Sequence, residues 1–425
     1  MLPWLLGGAV GAAGIMQGLH WRSTAAPQGD VAGLEKQLRI ATEENEMLKR
    51  ENESLRSLAQ GGGELSVPQE FIDRVEKEFG LRFLSTPVMH RLASEELRDR
   101  ISAAFESRFG PTGLDDRQEA YKLIGWLRPE DDYLAQLSAV RSLGALGWFD
   151  DVTGEGWATD KVDLKNIPDQ AVLVRLLSRI LLNQHFPPPP AYPGDDAARA
   201  REALHQGAAS GAEARFYTEH ARAGFMPMKT NAEVTVLMDS LSPFLRGLVL
   251  FPTTEGKGLT DTLHVQGNDK LQATFRSPPQ TTRGILRPAE PVTEPVALDL
   301  PPTPEDPFLT ETAGLLGLRL WLPPDADASI VPAWKNDRYV FFPDGEQSVA
   351  VLWDIELESS TATDKLEAVA LGTIASLAGQ EQHVKTGEIV ISSSKRHLAL
   401  ARVSPTRLRF LNTFLPATAE GLLPR

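Results

Sequence analysis

The sequence predicts a mixed α+β protein that is mainly helical and ends in a small antiparallel α+β unit. From residue 67 to about 182, apolar residues recur at three- and four-residue steps, which is the period of a helix. After Pro307 the pattern changes: RYVFF, VAVLWDIEL, EIVIS, HLALARV and RLRFLNTF alternate or run apolar in the manner of strands. With 42% hydrophobic and 24% charged residues, the composition fits a globular chain and excludes overall disorder.

Composition also excludes several classes of function. The chain has 425 residues, enough for about two or three folded units. Its 43 basic and 57 acidic residues give a net charge of −14, which argues against a nucleic-acid partner because phosphate recognition needs a basic face. Cysteine is absent, so disulfides, thiolate nucleophiles and iron–sulfur clusters are excluded. A metal site would have to use Asp, Glu and the eight histidines.

The amino terminus predicts a membrane-anchoring helix over residues 1–21. Residues 2–19 carry no charge. As a helix, eighteen residues rise about 27 Å, close to the roughly 30 Å hydrocarbon core of a bilayer. A cleaved signal peptide is the alternative, although no basic residue precedes the apolar run. The expected location is therefore a single-pass membrane protein with an N-terminal anchor.

Residues 31–60 predict a coiled coil. Leucines and one alanine repeat at heptad d positions, and two asparagines occupy a positions. An asparagine buried at a satisfies its amide against the same residue of a parallel partner, which favours an in-register homodimer. A single solvated helix is the alternative. The dimer contacts would be made by Leu34, Leu38, Asn45, Leu48, Asn52 and Leu55.

The body of the chain is predicted to divide into a helical domain over 65–305 and an α+β unit over 306–425. Four consecutive prolines, Pro187 to Pro190, must end a helix. Proline-rich connectors follow at 277–279 and 290–307. The segment PFLTETAGLLGLRLWL after residue 306 is expected to be a helix.

Five segments carry a resemblance to a known family. They are FGLRFLSTPV at 79–88, GWFD at 147–150, REALHQG at 201–207, PPQTTRGILRP at 278–288 and AWKNDR at 333–338. In this order they resemble motifs of a family of bacterial HExxH zinc metallopeptidases whose core helix reads H-E-L-x-H-A-L-Q-D-Q-H-F. The resemblance covers roughly residues 68–375. It implies a zincin-like helical body and a periplasmic or otherwise extracytoplasmic location for it.

The same resemblance implies that the catalytic site is degenerate. Residues 183–186 (NQHF) match the D-Q-H-F end of the core helix, which places Arg175 and Arg179 at the two zinc-binding histidines. Leu176 then replaces the general base and Gln206 the third, carboxylate ligand. A guanidinium group is always protonated and has no lone pair for a metal, and leucine cannot move a proton. The resemblance therefore implies a pseudo-peptidase with no catalytic residues, no metal and no cofactor.

Two hypotheses describe what the converted site does. In the family, Glu and His occupy the positions of Arg283 and Arg287. Arg175, Arg179, Arg283 and Arg287 could therefore converge on the old cleft and bind an anion or a carboxylate of a peptide partner. Alternatively, Arg175 and Arg179 pair with nearby acidic residues in a buried network.

The sequence thus favours a membrane-anchored, dimeric, non-catalytic binding or scaffolding protein with an unknown polypeptide partner. One alternative is an active zinc metallopeptidase with shifted ligands, for which His205, Glu213 and His220 are candidates. Their spacings of eight and seven residues are too wide for one zinc ion on a straight helix. The other alternative is a structural spacer whose function lies in the coiled coil.

Overall fold

The computed structural model of the chain describes residue 42 and residues 63–220, 232–290, 298–379 and 384–424. The predicted anchor, and the predicted coiled coil apart from Thr42, lie outside these ranges. The described residues from 63 onwards belong to one compact unit. Within the described ranges the protein is mixed α+β and mainly helical, as the sequence predicts.

Helices dominate the chain up to residue 290 because apolar residues recur there with the helical period. Asp132 and Ser242 cap two of these helices by accepting hydrogen bonds from the backbone N–H groups of Ala135 (2.8 Å) and Leu245 (3.2 Å). The elements are α1 (Gln69–Phe79), β1 (Met89–Leu92), α2 (Leu97–Ile124, bent at Gly110), α3 (Tyr133–Ser142), β2 (Gly147–Asp150), β3 (Glu155–Thr159), α4 (Ile167–His185), α5 (Asp195–His220), α6 (Ala232–Ser240), α7 (Pro243–Leu250), α8 (Lys257–Val265), α9 (Asn268–Arg276) and α10 (Thr282–Leu286).

The three short strands of this region form a mixed sheet in the order β1-β3-β2. β1 runs parallel to β3, with Met89 opposite Gly156, and β2 runs antiparallel to β3, with Gly147 opposite Ala158. The sheet packs on α4. A single π-helical turn, Pro252–Gly256, lies against α5.

The remaining chain forms a six-stranded antiparallel sheet with the order β4-β5-β6-β9-β8-β7. The expected helix after residue 306 is only half formed, because its first part pairs with β5 as a strand before the chain turns at Gly314 (φ 73°). The elements are β4 (Leu309–Glu311), α11 (Gly314–Trp321), β5 (Trp334–Pro343), β6 (Val349–Leu357), α12 (Ser360–Ala378), β7 (Ile389–Ile391), β8 (His397–Ser404), β9 (Arg407–Thr413) and α13 (Pro416–Leu422).

The two regions predicted on either side of residue 305 share one hydrophobic core. Trp126, which follows α2, stacks on Phe244 of α7 at 4.8 Å and lies 5.2 Å from Trp353 of β6, measured between ring centroids. The indole of Trp321 in α11 donates a hydrogen bond to the carbonyl of Ile124 (2.9 Å). The helical region and the sheet therefore stabilise each other.

The structure corrects the expected single-pass membrane location. Within the described ranges, none of the helices has both the length and the apolar composition needed to cross a bilayer. A spanning helix needs about 20 consecutive, mostly apolar residues. The apolar helix α4, for example, is interrupted by Asp169, Arg175 and Arg179. Residues 2–19, on which the expectation was based, lie outside the described ranges.

Candidate functional site: an arginine-lined cavity

The resemblance places the degenerate site at Arg175, Leu176, Arg179 and Gln206. The structure brings Arg175, Arg179 and Gln206 to one small cavity between α4 and its surroundings. Arg175 and Arg179 are one turn apart on α4. Arg175 is partly buried and forms an ion pair with Glu213 of α5 (Nε to Oε2, 3.2 Å). Gln206, also on α5, lines the same small cavity of about 180 Å³ as both arginines. Leu176 is buried, with 1% of its surface exposed, so it is a core residue.

Arg179 is more deeply buried than Arg175 and has no carboxylate partner among the described residues. Only 7% of its surface is exposed. Its Nη1 donates a hydrogen bond to Oε1 of Gln206 at 3.3 Å, and its guanidinium lies 4.8 Å from the ring centroid of Phe149. Burial lowers its pKa, while the more distant Asp151 and Glu202 act in the opposite direction. The pairing hypothesis therefore holds for Arg175 but not for Arg179.

Arg283 and Arg287 do not join this group. Both form ion pairs with Glu290, which follows α10 in the sequence. Arg283 also pairs with Glu358 at 2.9 Å. Nearby carboxylates thus hold these two guanidinium groups away from α4, and the predicted convergence of four arginines does not form.

A larger cavity lies beside these residues and contains a surplus of positive charge. Its volume is about 430 Å³, within the range of about 300–1,000 Å³ that is usual for ligand pockets. Six arginines and three carboxylates line it. Several of the charged groups, Arg179 included, also line the smaller cavity. The charged lining consists of Arg108, Arg117, Arg141, Arg179, Arg199, Arg201, Asp151, Asp195 and Glu202.

The three carboxylates are already engaged by four of the arginines. Arg108 pairs with Asp151, and Arg141 pairs with Glu202 at 2.8 Å. Burial alone would raise the pKa of Asp151 and Glu202, but the neighbouring arginines outweigh it and hold both below their usual values. Both carboxylates are therefore already engaged in ion pairs with Arg108 and Arg141.

Asp195, the third carboxylate of the cavity, also forms ion pairs with arginines of the lining. It pairs with Arg117 at 2.9 Å and with Arg199 at 3.5 Å. It also accepts hydrogen bonds from the hydroxyl groups of Tyr121 (2.6 Å) and Tyr192 (2.8 Å). Burial opposes ionisation of Asp195, but the two arginines and the tyrosines outweigh it and lower its pKa.

Arg179 and Arg201 are the arginines of this cavity that form no ion pair within the described part of the chain. Arg201 donates to the carbonyl of Phe186 (2.7 Å) and lies 2.7 Å from Nε2 of His205. Burial, and then repulsion from Arg179, lower the pKa of Arg201 to about 10. Burial and the same two arginines push the pKa of His205 well below its usual value. The site therefore carries two positive charges that form no ion pair with the described residues.

The sequence pattern indicated Arg179 but missed most of the residues that line this cavity, and Gln206 lines only the smaller cavity beside it. Arg108 and Arg141 belong to α2 and α3, and Arg201 was noticed only within a family motif. No local pattern links them to α4, because residues so far apart meet only through the path of the chain. The cavity is lined by six arginines and three carboxylates, and this excess of arginine arises only when the folded chain brings these residues together.

The candidate ligands of a shifted metal site do not converge. His205 packs against Phe275 with ring centroids 5.0 Å apart, whereas His220 stacks on Phe216 at 4.1 Å. Glu213 is engaged by Arg175. In the described ranges, no group of three or more His, Cys, Asp or Glu side chains has an arrangement that could hold a metal ion.

Comparison of the chain with protein-family models, with curated proteins and with solved structures found no match.

Proposed function

We propose that this chain is a non-catalytic binding protein whose arginine-lined cavity holds an anionic group of a partner molecule. One observation carries the proposal: Arg179 and Arg201 line the same cavity without an ion pair from the described residues. Burying an unpaired charge lowers stability by on the order of several kcal/mol unless another group compensates. A ligand anion would supply that compensation.

The position of the positive charge supports anion binding at this cavity rather than nonspecific attraction of anions to the whole protein surface. The whole chain has a net charge of −14, so an anion is repelled by most of the protein. The cavity reverses this sign locally and combines it with aromatic walls, including Phe105 and Phe109. Arg117 lies 4.4 Å from the ring centroid of Phe109, which helps to fix its orientation. Oriented charges in a partly desolvated cavity bind anions more strongly than charges in water.

The non-catalytic part of the proposal rests on the resemblance to zinc metallopeptidases, which we keep as a hypothesis together with the zincin-like body. Under that resemblance the histidine positions are Arg175 and Arg179, and the general-base position is the buried Leu176. Neither residue type can perform the original role. We also retain the predicted coiled-coil homodimer and the polypeptide partner as parts of the proposal.

Anion titrations of the purified full-length chain test the proposal. Acetate, citrate and inorganic phosphate are added to the wild type, to Arg179→Met and to Arg201→Met, and binding is followed by calorimetry and by the melting temperature. We expect the wild type to bind at least one anion and both variants to bind it at least about tenfold more weakly, the loss typical of a charge-assisted hydrogen bond. Arg82→Met is the control, because Arg82 is 91% exposed.

The same preparation separates the proposal from the active-enzyme alternative. Stoichiometric zinc that a chelator removes together with proteolytic activity would favour a metallopeptidase with shifted ligands. If none of the anions binds the wild type at low ionic strength, the proposed function is wrong.

A further inference from the structure

A further cavity adjoins the arginine-lined cavity and shares part of its wall. Its volume is about 550 Å³, and Pro189, Pro193 and Arg201 line both cavities. We call it the proline-walled cavity, because five of the described residues that line it are prolines. They are Pro187, Pro189, Pro193, Pro278 and Pro279. A ligand bound at Arg201 therefore has this second space within reach.

The walls of the proline-walled cavity are apolar, flat and rigid. The ring of Phe186 stacks on that of Phe275 with centroids 5.1 Å apart and planes inclined by 15°. Phe275 is buried, whereas Phe186 is partly exposed and lines the cavity. Each proline ring fixes the backbone dihedral φ, so this wall needs little ordering when a ligand binds. Such a surface suits a flat apolar group, of which an aromatic ring is the commonest.

The charged residues that line this cavity are basic throughout the described part of the chain. They are Arg201 and Arg276, and His185 lies in the same lining. Arg276 is exposed, donates from Nη2 to Oε1 of Gln272 at 2.8 Å and forms no ion pair within the described ranges. The arginine-lined cavity, in contrast, also contains three carboxylates. An anion at the shared Arg201 is therefore attracted from this side without a carboxylate of the described lining to repel it.

Arg201 has N–H groups to offer such an anion. It is partly exposed, and its guanidinium carries five N–H groups. The contacts with His205 and with the carbonyl of Phe186 use one N–H of Nη1 and one of Nη2. A second N–H on each of these atoms and the N–H of Nε remain. Because the bond to Phe186 also fixes the guanidinium beside the aromatic wall, the charge and the apolar surface lie next to each other.

On the basis of the proposed function, we propose that the anion bound at Arg201 carries an aromatic ring and that this ring lies in the proline-walled cavity. The ligand class is an aromatic acid, in which a carboxylate or phosphate group is joined to the ring by a short link. Arg201 binds the anionic group, and Phe186 with the prolines packs against the ring. A small aromatic acid and a polypeptide that ends in an aromatic residue share this chemistry.

Calorimetric titration of the purified full-length chain compares simple anions with their phenyl derivatives. The pairs are acetate with phenylacetate, and inorganic phosphate with phenyl phosphate; benzyl alcohol is the neutral ring. We expect each phenyl derivative to bind at least about tenfold more tightly than its parent anion, because the ring leaves water for an apolar wall. Benzyl alcohol should bind more weakly than phenylacetate, because it brings no charge to Arg201.

A cavity-filling variant places the ring. Ala197 of α5 lines the proline-walled cavity but not the arginine-lined one. In Ala197→Phe the new side chain occupies the space of the ligand's ring, so we expect the affinity ratio of phenylacetate to acetate to fall by about fivefold or more. Ala368→Phe, at an exposed position of α12, is the matched control and should keep the wild-type ratio.

The outcomes separate this inference from the proposed function. Ratios near one for both pairs in the wild type would overturn the inference and leave the binding of the parent anions intact. An unchanged ratio in folded Ala197→Phe would also overturn it. If Ala197→Phe does not fold, the wild-type ratios still decide. A tripeptide with a C-terminal phenylalanine that binds more tightly than phenylacetate would identify a polypeptide as the source, and weaker binding a small acid. Failure of all the anions would remove both proposals.

Discussion

Asp196, the second residue of α5, is a buried carboxylic acid with no ion-pair partner in the described part of the chain. Only 3% of its surface is exposed, and its Oδ1 accepts hydrogen bonds from the backbone and hydroxyl groups of Thr282. Its Oδ2 has no hydrogen-bond partner among the residues that the structure describes. Burial raises its pKa to about 7, and Asp337 adds to the rise, while Thr282 and Arg199 oppose it.

This shift makes stability depend on pH in a defined direction. An unfolded aspartic acid loses its proton near pH 3.8, whereas native Asp196 keeps it until about pH 7. Between these values the native state binds a proton that the unfolded state has lost, so the free energy of unfolding falls as the pH rises. The slope is about 1.4 kcal/mol per pH unit, or ~4 kcal/mol across the interval. Above about pH 7 both states are ionised and the loss stops.

Urea unfolding of the wild type and of Asp196→Asn at pH 5, 6, 7 and 8 measures this effect. The amide keeps an acceptor for Thr282 but cannot ionise, so we expect its slope between pH 5 and 7 to be less negative by about 1.4 kcal/mol per pH unit. Glu311, whose pKa burial and Asp195 also raise to about 7, contributes a slope of the same sign that remains in the variant. Asp306→Asn, at an exposed position, controls for the substitution. Equal slopes in the wild type and Asp196→Asn would refute the reasoning.

Three further changes test the network and the cavity by urea unfolding at pH 7. Asp195→Asn removes the carboxylate that pairs with both Arg117 and Arg199, and only Arg117 keeps another one, Glu311 at 2.6 Å, so we expect a loss of about 3–5 kcal/mol; an unchanged midpoint would contradict this. Gly314→Ala, at φ 73° and with its new Cβ 1.8 Å from a buried carboxylate oxygen, should be destabilised by more than about 2 kcal/mol. Its matched control, Gly372→Ala in the open middle of α12, should gain about 0.5–1 kcal/mol. Arg179→Met removes a buried unpaired charge and should stabilise the ligand-free protein by about 1–3 kcal/mol, so a loss would argue against an unpaired cation.

The local pattern of the sequence was sufficient for the class of the fold and for many of its elements. VAVLWDIEL forms β6, and RLRFLNTF coincides with β9 and one following residue. The helical period around Arg175 and Arg179 predicted α4, and the proline run after residue 186 predicted its end. These features depend on neighbouring residues along the chain, which the sequence displays directly. The metallopeptidase resemblance stays a prediction.

The tertiary structure decided which charges meet. Arg175 and Arg179 look equivalent in the sequence, yet Glu213 neutralises one and no described carboxylate neutralises the other. Arg283 was expected beside them, but Glu290 holds it elsewhere. The strand order β4-β5-β6-β9-β8-β7, and the formation of strand β4 where the sequence predicts the start of a helix, were likewise not visible locally. Periodicity tells which face of an element is apolar, whereas ion pairs and sheet order depend on the path of the whole chain and on competition between distant partners.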